Sequence, residues 1–263
     1  MRVFDFNRAI VRTPGKSAVD GLRSDPNAVP NYVGVLKEHA DYVAALEALG
    51  LEVDVLSALE DFPDSMFVED PALVFPEGAI VLRPGASSRA GEAEAMREEL
   101  AQRFPRVLEL SGGGSADGGD VLVTPALVFI GLSARTNRAG AEALQKALAN
   151  LGRKSRIVET PQGVLHFKTA SSLLDEETIF ATPRMAANGL FSGLKIIATP
   201  EGEEAAANAL RINDTVLLGA QFPRAAELLS RDGYTVQTLP VSEIGKLDAG
   251  LSCVSLRWSD GAL

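Results

Sequence analysis

Cys253 is the only cysteine in this 263-residue chain, and it shares the sequence with just two histidines, His39 and His166. A thiolate adds to electron-poor carbon, and an imidazole can carry a proton to a leaving group or activate a water. Cys253 lies in Lys246-Leu-Asp-Ala-Gly-Leu-Ser-Cys253-Val-Ser-Leu-Arg-Trp258, where an Asp- and Gly-containing loop runs into a short alternating strand. A lone cysteine has no internal disulfide partner, so it is either a small buried hydrophobe or a reactive thiol. His166 occupies a similar position at a strand start. His39, in Leu36-Lys-Glu-His-Ala, falls on an amphipathic helix and reads as structural.

Residues this far apart need a fold that brings them together, and the chain carries a repeat that can. The unit is a strand, a turn, a second strand, a basic residue and an amphipathic helix. Its clearest copy runs from Gly119 to Ser133, followed by the helix Ala139–Leu151 and a capping Gly152. An earlier copy starts at Asp70, turns at Pro76-Glu-Gly78, and has a helix from Ser88 to Phe104 stopped by Pro105. Later copies start at His166, Asn208 and Cys253, and the Asn208 copy has a helix from Arg224 that ends at Gly233. The Cys253 copy runs out at the C-terminus, and its other half lies at the N-terminus in Arg2–Phe6, Arg8–Arg12 and a helix beginning near Pro30. Strand starts at Asp70, Asp120, His166, Asn208 and Cys253 recur at about 40 to 50 residues. A unit split between the termini predicts closure into a ring, as in a propeller. Equivalent strand starts would then converge near the axis.

The neighbours that such a ring gives Cys253 and His166 are acids: Asp64, Glu69, Asp70, Asp117 and Asp120. Carboxylates around a thiol raise its pKa and suppress the thiolate, unless the substrate is itself a cation. A guanidinium is planar, carries its charge on a carbon flanked by three nitrogens, and is matched by forked carboxylates. Cys-His-acid chemistry on a guanidinium is therefore self-consistent. Asp120 reads as a residue that ties down its own Gly-Gly loop, and Glu60 and Asp61 read as a solvated turn. Gly112-Gly-Gly-Ser lacks the Lys-Ser/Thr of a phosphate loop, which argues against nucleotide binding. Two soft ligands without a third do not make a zinc site, so no metal is expected.

Several segments together resemble one family: Phe67-Val-Glu-Asp70, Arg83-Pro-Gly-Ala-Ser-Ser-Arg89, Asp117-Gly-Gly-Asp120, Gly131-Leu-Ser-Ala-Arg-Thr-Asn137, Leu165-His166-Phe-Lys168 and Asp248-Ala-Gly-Leu-Ser-Cys253. In this order they are similar to the motifs of dimethylarginine dimethylaminohydrolase. That family belongs to the penteins, the guanidine-modifying superfamily of closed five-bladed α/β propellers. The likeness runs from about Ile10 to Trp258. It implies a single pentein domain over residues 1–263, with a lid loop at about 15–28. It also implies hydrolysis of Nω-methylated L-arginine to citrulline and a methylamine, through a covalent thiouronium on cysteine and without a cofactor. Carried over by position, Cys253 matches the nucleophile, His166 the general acid/base and Asp117 the carboxylate partner of the histidine. Asp64, Glu69 and Asp70 match the acidic segment around the guanidinium, and Arg89 and Arg135 the pair that binds the α-carboxylate. Leu22 matches the lid's backbone contact, and Leu247 the backbone carbonyl that meets the α-amino group. Sister activities are the alternatives: arginine deiminase, and agmatine deiminase, whose substrate lacks the carboxylate that Arg89 and Arg135 would bind. A propeller of this type also serves as a non-catalytic binding factor, which would not need Cys, His and acid at matching strand starts.

Composition is consistent with this. A formal net charge of −10 disfavours nucleic acid or an anionic membrane as partner and accommodates a small cationic amino-acid substrate. An apolar fraction of 46% suits an α/β protein with a full core. One cysteine suits a reducing cytoplasm. The charged N-terminal stretch Met1–Arg8 reads as a first strand rather than a signal peptide. No apolar run approaches the roughly 20 residues of a membrane helix. The acidic surface is compatible with a homodimer.

Overall fold

The computed structural model describes residues 2–260, and these form five three-stranded sheets. The chain begins with β1 (Arg8–Arg12), helix α1 (Tyr32–Ala48) and β2 (Glu52–Leu56). The next unit is β3 (Ala72–Phe75), β4 (Gly78–Val81), α2 (Ala90–Arg103) and β5 (Val107–Glu109). The third is β6 (Val121–Val123), β7 (Val128–Leu132), α3 (Arg138–Asn150) and β8 (Ser155–Glu159). The fourth is β9 (Ser171–Leu173), β10 (Thr178–Ala181), a single helical turn α4 (Pro183–Ala186) and β11 (Lys195–Ala198). The fifth is β12 (Leu210–Ile212), β13 (Thr215–Gly219), α5 (Pro223–Arg231) and β14 (Thr235–Leu239), after which β15 (Ser255–Trp258) returns to the first sheet.

Each unit is an antiparallel hairpin whose second strand continues through a helix into a parallel third strand, as in β3–β4 (Ala72↔Val81) and β4–β5 (Ala79↔Val107). The third strand is missing from the strand-strand-helix unit read from the sequence. It is a half-polar segment such as Glu52-Val-Asp-Val-Leu or Thr235-Val-Gln-Thr-Leu, exposed over much of its length, and lacks the apolar run of the first two strands. β15 pairs antiparallel with β1, Arg8 opposite Trp258 and Val11 opposite Ser255, so the two ends of the chain share one sheet and close the ring. The first strands of neighbouring units touch one another, β15 against β3, β6 against β9 and β9 against β12, which places them innermost. Residues 3–4 form a turn rather than the start of a strand, and Met1 lies outside the described residues.

The helices pack their apolar faces on the outer strands. In α3, buried Ala141, Leu144, Ala147 and Leu148 meet Val128 and Ile130 of β7. His39 is buried on α1 and its pKa is lowered by burial to about 4, in keeping with a structural role. Helix α1 is further tied to the ring closure by the buried bond between the Tyr42 hydroxyl and Ser255 Oγ at 2.6 Å. No helix among the described residues is long and apolar enough to cross a membrane.

Candidate active site

The segments that hold Cys253 and His166 are 3-10 turns just ahead of the inner strands, Leu251–Val254 before β15 and Phe167–Thr169, capped by His166, before β9. A third such turn, Gly118–Asp120, precedes β6 and follows directly on Asp117. The two glycines of Asp117-Gly-Gly-Asp120 are there for space. A Cβ on Gly118 would come within 2.0 Å of the Glu69 carbonyl oxygen, and one on Gly119 within 2.8 Å of the His166 ring.

These turns surround a cavity of about 230 Å3. Eight of the ten residues expected from the sequence line it: Leu22, Asp64, Asp70, Arg89, Arg135, His166, Leu247 and Cys253. Asp117 stands behind the imidazole. It is fully buried, and its Oδ2 lies 3.1 Å from His166 Nε2 while its Oδ1 accepts from Gly85 N at 2.6 Å. With Nε2 engaged, Nδ1 is the ring atom left to exchange a proton. Glu69 departs from the expectation. Its side chain is not part of the cavity wall but turns to Lys168 Nζ at 2.6 Å, Arg257 Nη2 at 3.1 Å and Ser252 Oγ at 3.0 Å. Through Ser252 it braces the residue before the cysteine.

Arg89 departs as well, in a different way. It lines the cavity, yet its guanidinium is already committed: Nε and Nη2 to Glu92, Nη1 to Asp70, and Nη2 also to the carbonyls of Asp64 and Phe67. Burial would lower its pKa, but the charges of Asp70 and Glu92 outweigh this and raise it. Arg135 is only half-buried, and its guanidinium makes no hydrogen bond or ion pair among the described residues. Of the two arginines, it is the one free to meet an anionic group.

Burial and charge pull the titratable groups of the cavity in different directions. Burial, then the charges of Glu69 and Asp70, push the Cys253 thiol up to about 12. Burial alone would lower the His166 pKa, but the charge of Asp70, the hydrogen bond to Asp117 and the charge of Asp120 raise it to about 9. At neutral pH the empty site therefore holds a thiol beside an imidazolium. Asp70 is kept ionised: burial would raise its pKa, but Arg89 and His166 lower it. Asp64 is shifted the other way, raised by burial against the pull of Arg89. Asp70, Asp117 and His166 bring ligand-type atoms within 4.8 Å of one another. The Asp70–Arg89 pair and the Asp117–His166 bond engage these same side chains.

Asp120 is the loop tie expected from the sequence, and more. Its Oδ2 accepts from Ser133 Oγ at 2.7 Å and Thr136 Oγ1 at 2.6 Å, and its Oδ1 from Phe167 N at 2.9 Å. It thereby fixes the turn that carries His166. Sequence reasoning missed Asn208 as a site residue. Its Nδ2 is 4.0 Å from Cys253 Sγ, and its Oδ1 accepts from Ser252 N at 3.1 Å. Its place in the repeat, one unit before Cys253, was the available signal.

The lid contains a 3-10 turn, Lys16–Asp20, and is fastened at three carboxylates. Glu60 accepts from the backbone N–H groups of Lys16 and Ser17, Asp64 from Leu22 N at 2.9 Å, and Asp248 from Ser24. Glu60 is thus an anchor rather than part of a merely solvated turn.

A five-bladed α/β propeller with cysteine, histidine and acids on the turns above its inner strands defines a guanidine-modifying type of protein, a pentein. Comparison with known proteins agrees. The sequence model of the arginine deiminase family matches residues 54–199. The N(G),N(G)-dimethylarginine dimethylaminohydrolase of Pseudomonas aeruginosa is 37% identical over 254 residues, 96% of this chain and 100% of that protein. The protein of the same name from Streptomyces coelicolor is 34% identical, over 95% of this chain and 96% of its own length. A solved structure of the Pseudomonas aeruginosa protein, a cysteine-to-serine variant with citrulline, superposes with a TM-score of 0.93 over 97% of this chain and 100% of that one, at 37% identity. The N-terminal domain of ArgZ, an arginine dihydrolase, shares the fold at a TM-score of 0.84 with 17% identity, over 96% of this chain and 98% of its own. The chain belongs to the dimethylarginine dimethylaminohydrolase family.

Proposed function

We propose that this protein hydrolyses Nω-methylated L-arginine to L-citrulline and a methylamine, with Cys253 as nucleophile, His166 as acid and base, and Asp117 as the partner that orients His166. The observation that carries this reading is the pairing of a thiol held protonated by burial and nearby carboxylates with a cavity walled by Asp64 and Asp70. A bound cation offsets the carboxylate charge that suppresses the thiolate. The names of the relatives that span the whole chain point to the same substrate.

The substrate guanidinium lies between Asp64 and Asp70, and its charge lowers the Cys253 pKa so that the thiol proton passes to solvent. The thiolate adds to the central carbon, forming the C–S bond. Protonated His166 gives its Nδ1 proton to the methylated nitrogen, the C–N bond breaks, and the amine leaves. A cationic thiouronium remains on Cys253. Neutral His166 then takes a proton from water, hydroxide adds to the same carbon, and the C–S bond breaks as the added hydroxyl's proton passes to the departing sulfur, releasing citrulline and the Cys253 thiol. Asp117 keeps the imidazole in one orientation through both proton transfers. Arg135 takes the α-carboxylate, and Arg89, held in its ion pairs with Asp70 and Glu92, adds positive charge to the same cavity. The Leu247 carbonyl receives the α-amino group, and Leu22 covers the site. Glu69 acts from behind, through Ser252 and the peptide of Cys253. Every step uses side chains of this chain alone, and the proposed compartment is the cytoplasm.

Arginine deimination is the second reading, supported by the family model that spans residues 54–199. Ureido product formation measured on dimethylarginine, monomethylarginine, arginine and agmatine (citrulline from the first three, carbamoylputrescine from agmatine) separates the two. Turnover of the methylated substrates with little on arginine is expected, and turnover of arginine alone would overturn the first reading.

A further inference from the structure

An open groove of about 1220 Å3 meets the lid at Ser24 and is bordered by the Thr160–Leu165 loop and the segment leading to Cys253. Groove and catalytic cavity share a wall of four residues: Ser24, Leu165, Asp248 and Ala249. Within this wall Ser24 and Asp248, separated by 224 positions, are bonded twice. Ser24 N donates to one carboxylate oxygen at 2.5 Å and Ser24 Oγ to the other at 2.8 Å. Asp248 holds a left-handed backbone, φ 55°, which aspartate and asparagine tolerate better than most residues. It directly follows Leu247, one of the residues of the cavity wall.

The two fastenings of the lid tip differ in kind. Asp64 accepts from Leu22 N, but in the proposed reaction it must also serve the guanidinium. Asp248 has no such second task. Deeper in the cavity, Asp70 paired with Arg89 and His166 backed by Asp117 are buried and do not open without breaking the core. The Ser24–Asp248 wall is exposed on one side and half-buried on the other, so it is the side that can part.

We infer that Ser24 and Asp248 form a latch between the groove and the cavity, that Asp248 is a positioning residue holding the lid shut at the Leu247 end, and that the groove is the route of ligand access and amine departure. The identity of what passes rests on the proposed function; the latch itself does not.

Trypsin supplies a test that is independent of activity. The Arg23–Ser24 bond lies at the lid tip, and in the closed lid the Arg23 guanidinium is folded back on the carbonyls of Val19 at 2.9 Å and Gly21 at 3.1 Å. Cleavage after Arg23 is followed by mass spectrometry in the full-length protein, in Ser24→Ala and in Asp248→Asn, the last keeping the left-handed preference. KM and kcat for dimethylarginine are measured on the same samples. Loss of the latch should speed that cleavage roughly three- to tenfold in each variant and raise KM in similar proportion, with a smaller change in kcat. The effects in the double variant should be less than additive, because both substitutions act on the same pair of bonds between Ser24 and residue 248. Should Asp248→Asn fail to fold, Ser24→Ala, at an exposed position, carries the same test. An unchanged cleavage rate, or additive effects in the double variant, would overturn the latch. Faster cleavage in the variants of a protein that releases no citrulline from methylated arginine would leave the latch standing and remove the proposed substrate.

Discussion

Asp117 Oδ2 holds His166 Nε2 at 3.1 Å from a position with no solvent exposure, while a backbone N–H of Gly85 fixes its other oxygen. The imidazole therefore has one orientation and one nitrogen available to a ligand. Replacing Asp117 by Asn keeps the size but removes the charge and one acceptor. We expect kcat to fall by about 10²- to 10⁴-fold, the usual worth of a positioned acid-base group, with KM changed much less. Steady-state kinetics on dimethylarginine checks this, and a loss confined to KM would contradict the assignment of His166 as proton carrier.

The raised Cys253 pKa predicts slow alkylation by neutral reagents. Iodoacetamide should react sluggishly at neutral pH and faster as pH rises toward the thiol's value of about 12. A cationic haloacetamidine should react faster than iodoacetamide at pH 7, because its charge does what the substrate's charge does. Mass spectrometry locates the adduct on Cys253. Equal rates for the two reagents at pH 7 would count against the carboxylate wall.

Arg89 and Arg135 should fail in different ways. Arg135→Ala removes a free cation and should weaken capture of an α-carboxylate substrate by about 1.5–3 kcal/mol, with little effect on agmatine. Arg89→Ala leaves Asp70 and Glu92 buried without their counter-ion, which costs about 3–5 kcal/mol of stability. Urea denaturation set beside KM for both substrates separates a lost binding contact from a lost structural brace. Equal stability of the two variants would show that Arg89 is not the brace its contacts describe.

Stability should fall as the solution turns alkaline. His166 has a folded pKa of about 9, above its ordinary 6.5, so the folded state holds its proton more tightly than the unfolded chain does. That contribution is fully present below about pH 6.5 and is lost as pH rises through about 9. Asp120 and Glu92, raised by burial to about 6 and about 7, act with the same sign; the Asp120 share is largely gone by neutral pH, and the Glu92 share is lost as pH rises through about 7, ahead of His166. Urea midpoints between pH 7 and pH 9 should therefore fall in the native protein and flatten in His166→Gln, whose side chain does not titrate.

Much of this protein was legible in its sequence because the repeat is local. Apolar pairs, tight turns and helix caps such as Gly152 depend on near neighbours, so the hairpins, their helices and the ring closed by the two termini follow from the order of residues alone. The single cysteine and the acid-rich segments likewise pointed to a guanidinium by chemistry alone. Tertiary structure decided how those groups are used. Glu69 and Asp70 are adjacent, yet one turns to Lys168 and Arg257 while the other faces the cavity, because successive side chains leave a turn in different directions. Arg89 looked like a free clamp, but its partners Asp70, 19 positions away, and the carbonyls of Asp64 and Phe67 come together only on folding. The lid's own residues are mostly polar or small and give it little apolar surface to pack. It is fastened by carboxylates far along the chain, up to 224 positions away, and no local pattern encodes a bond across that distance.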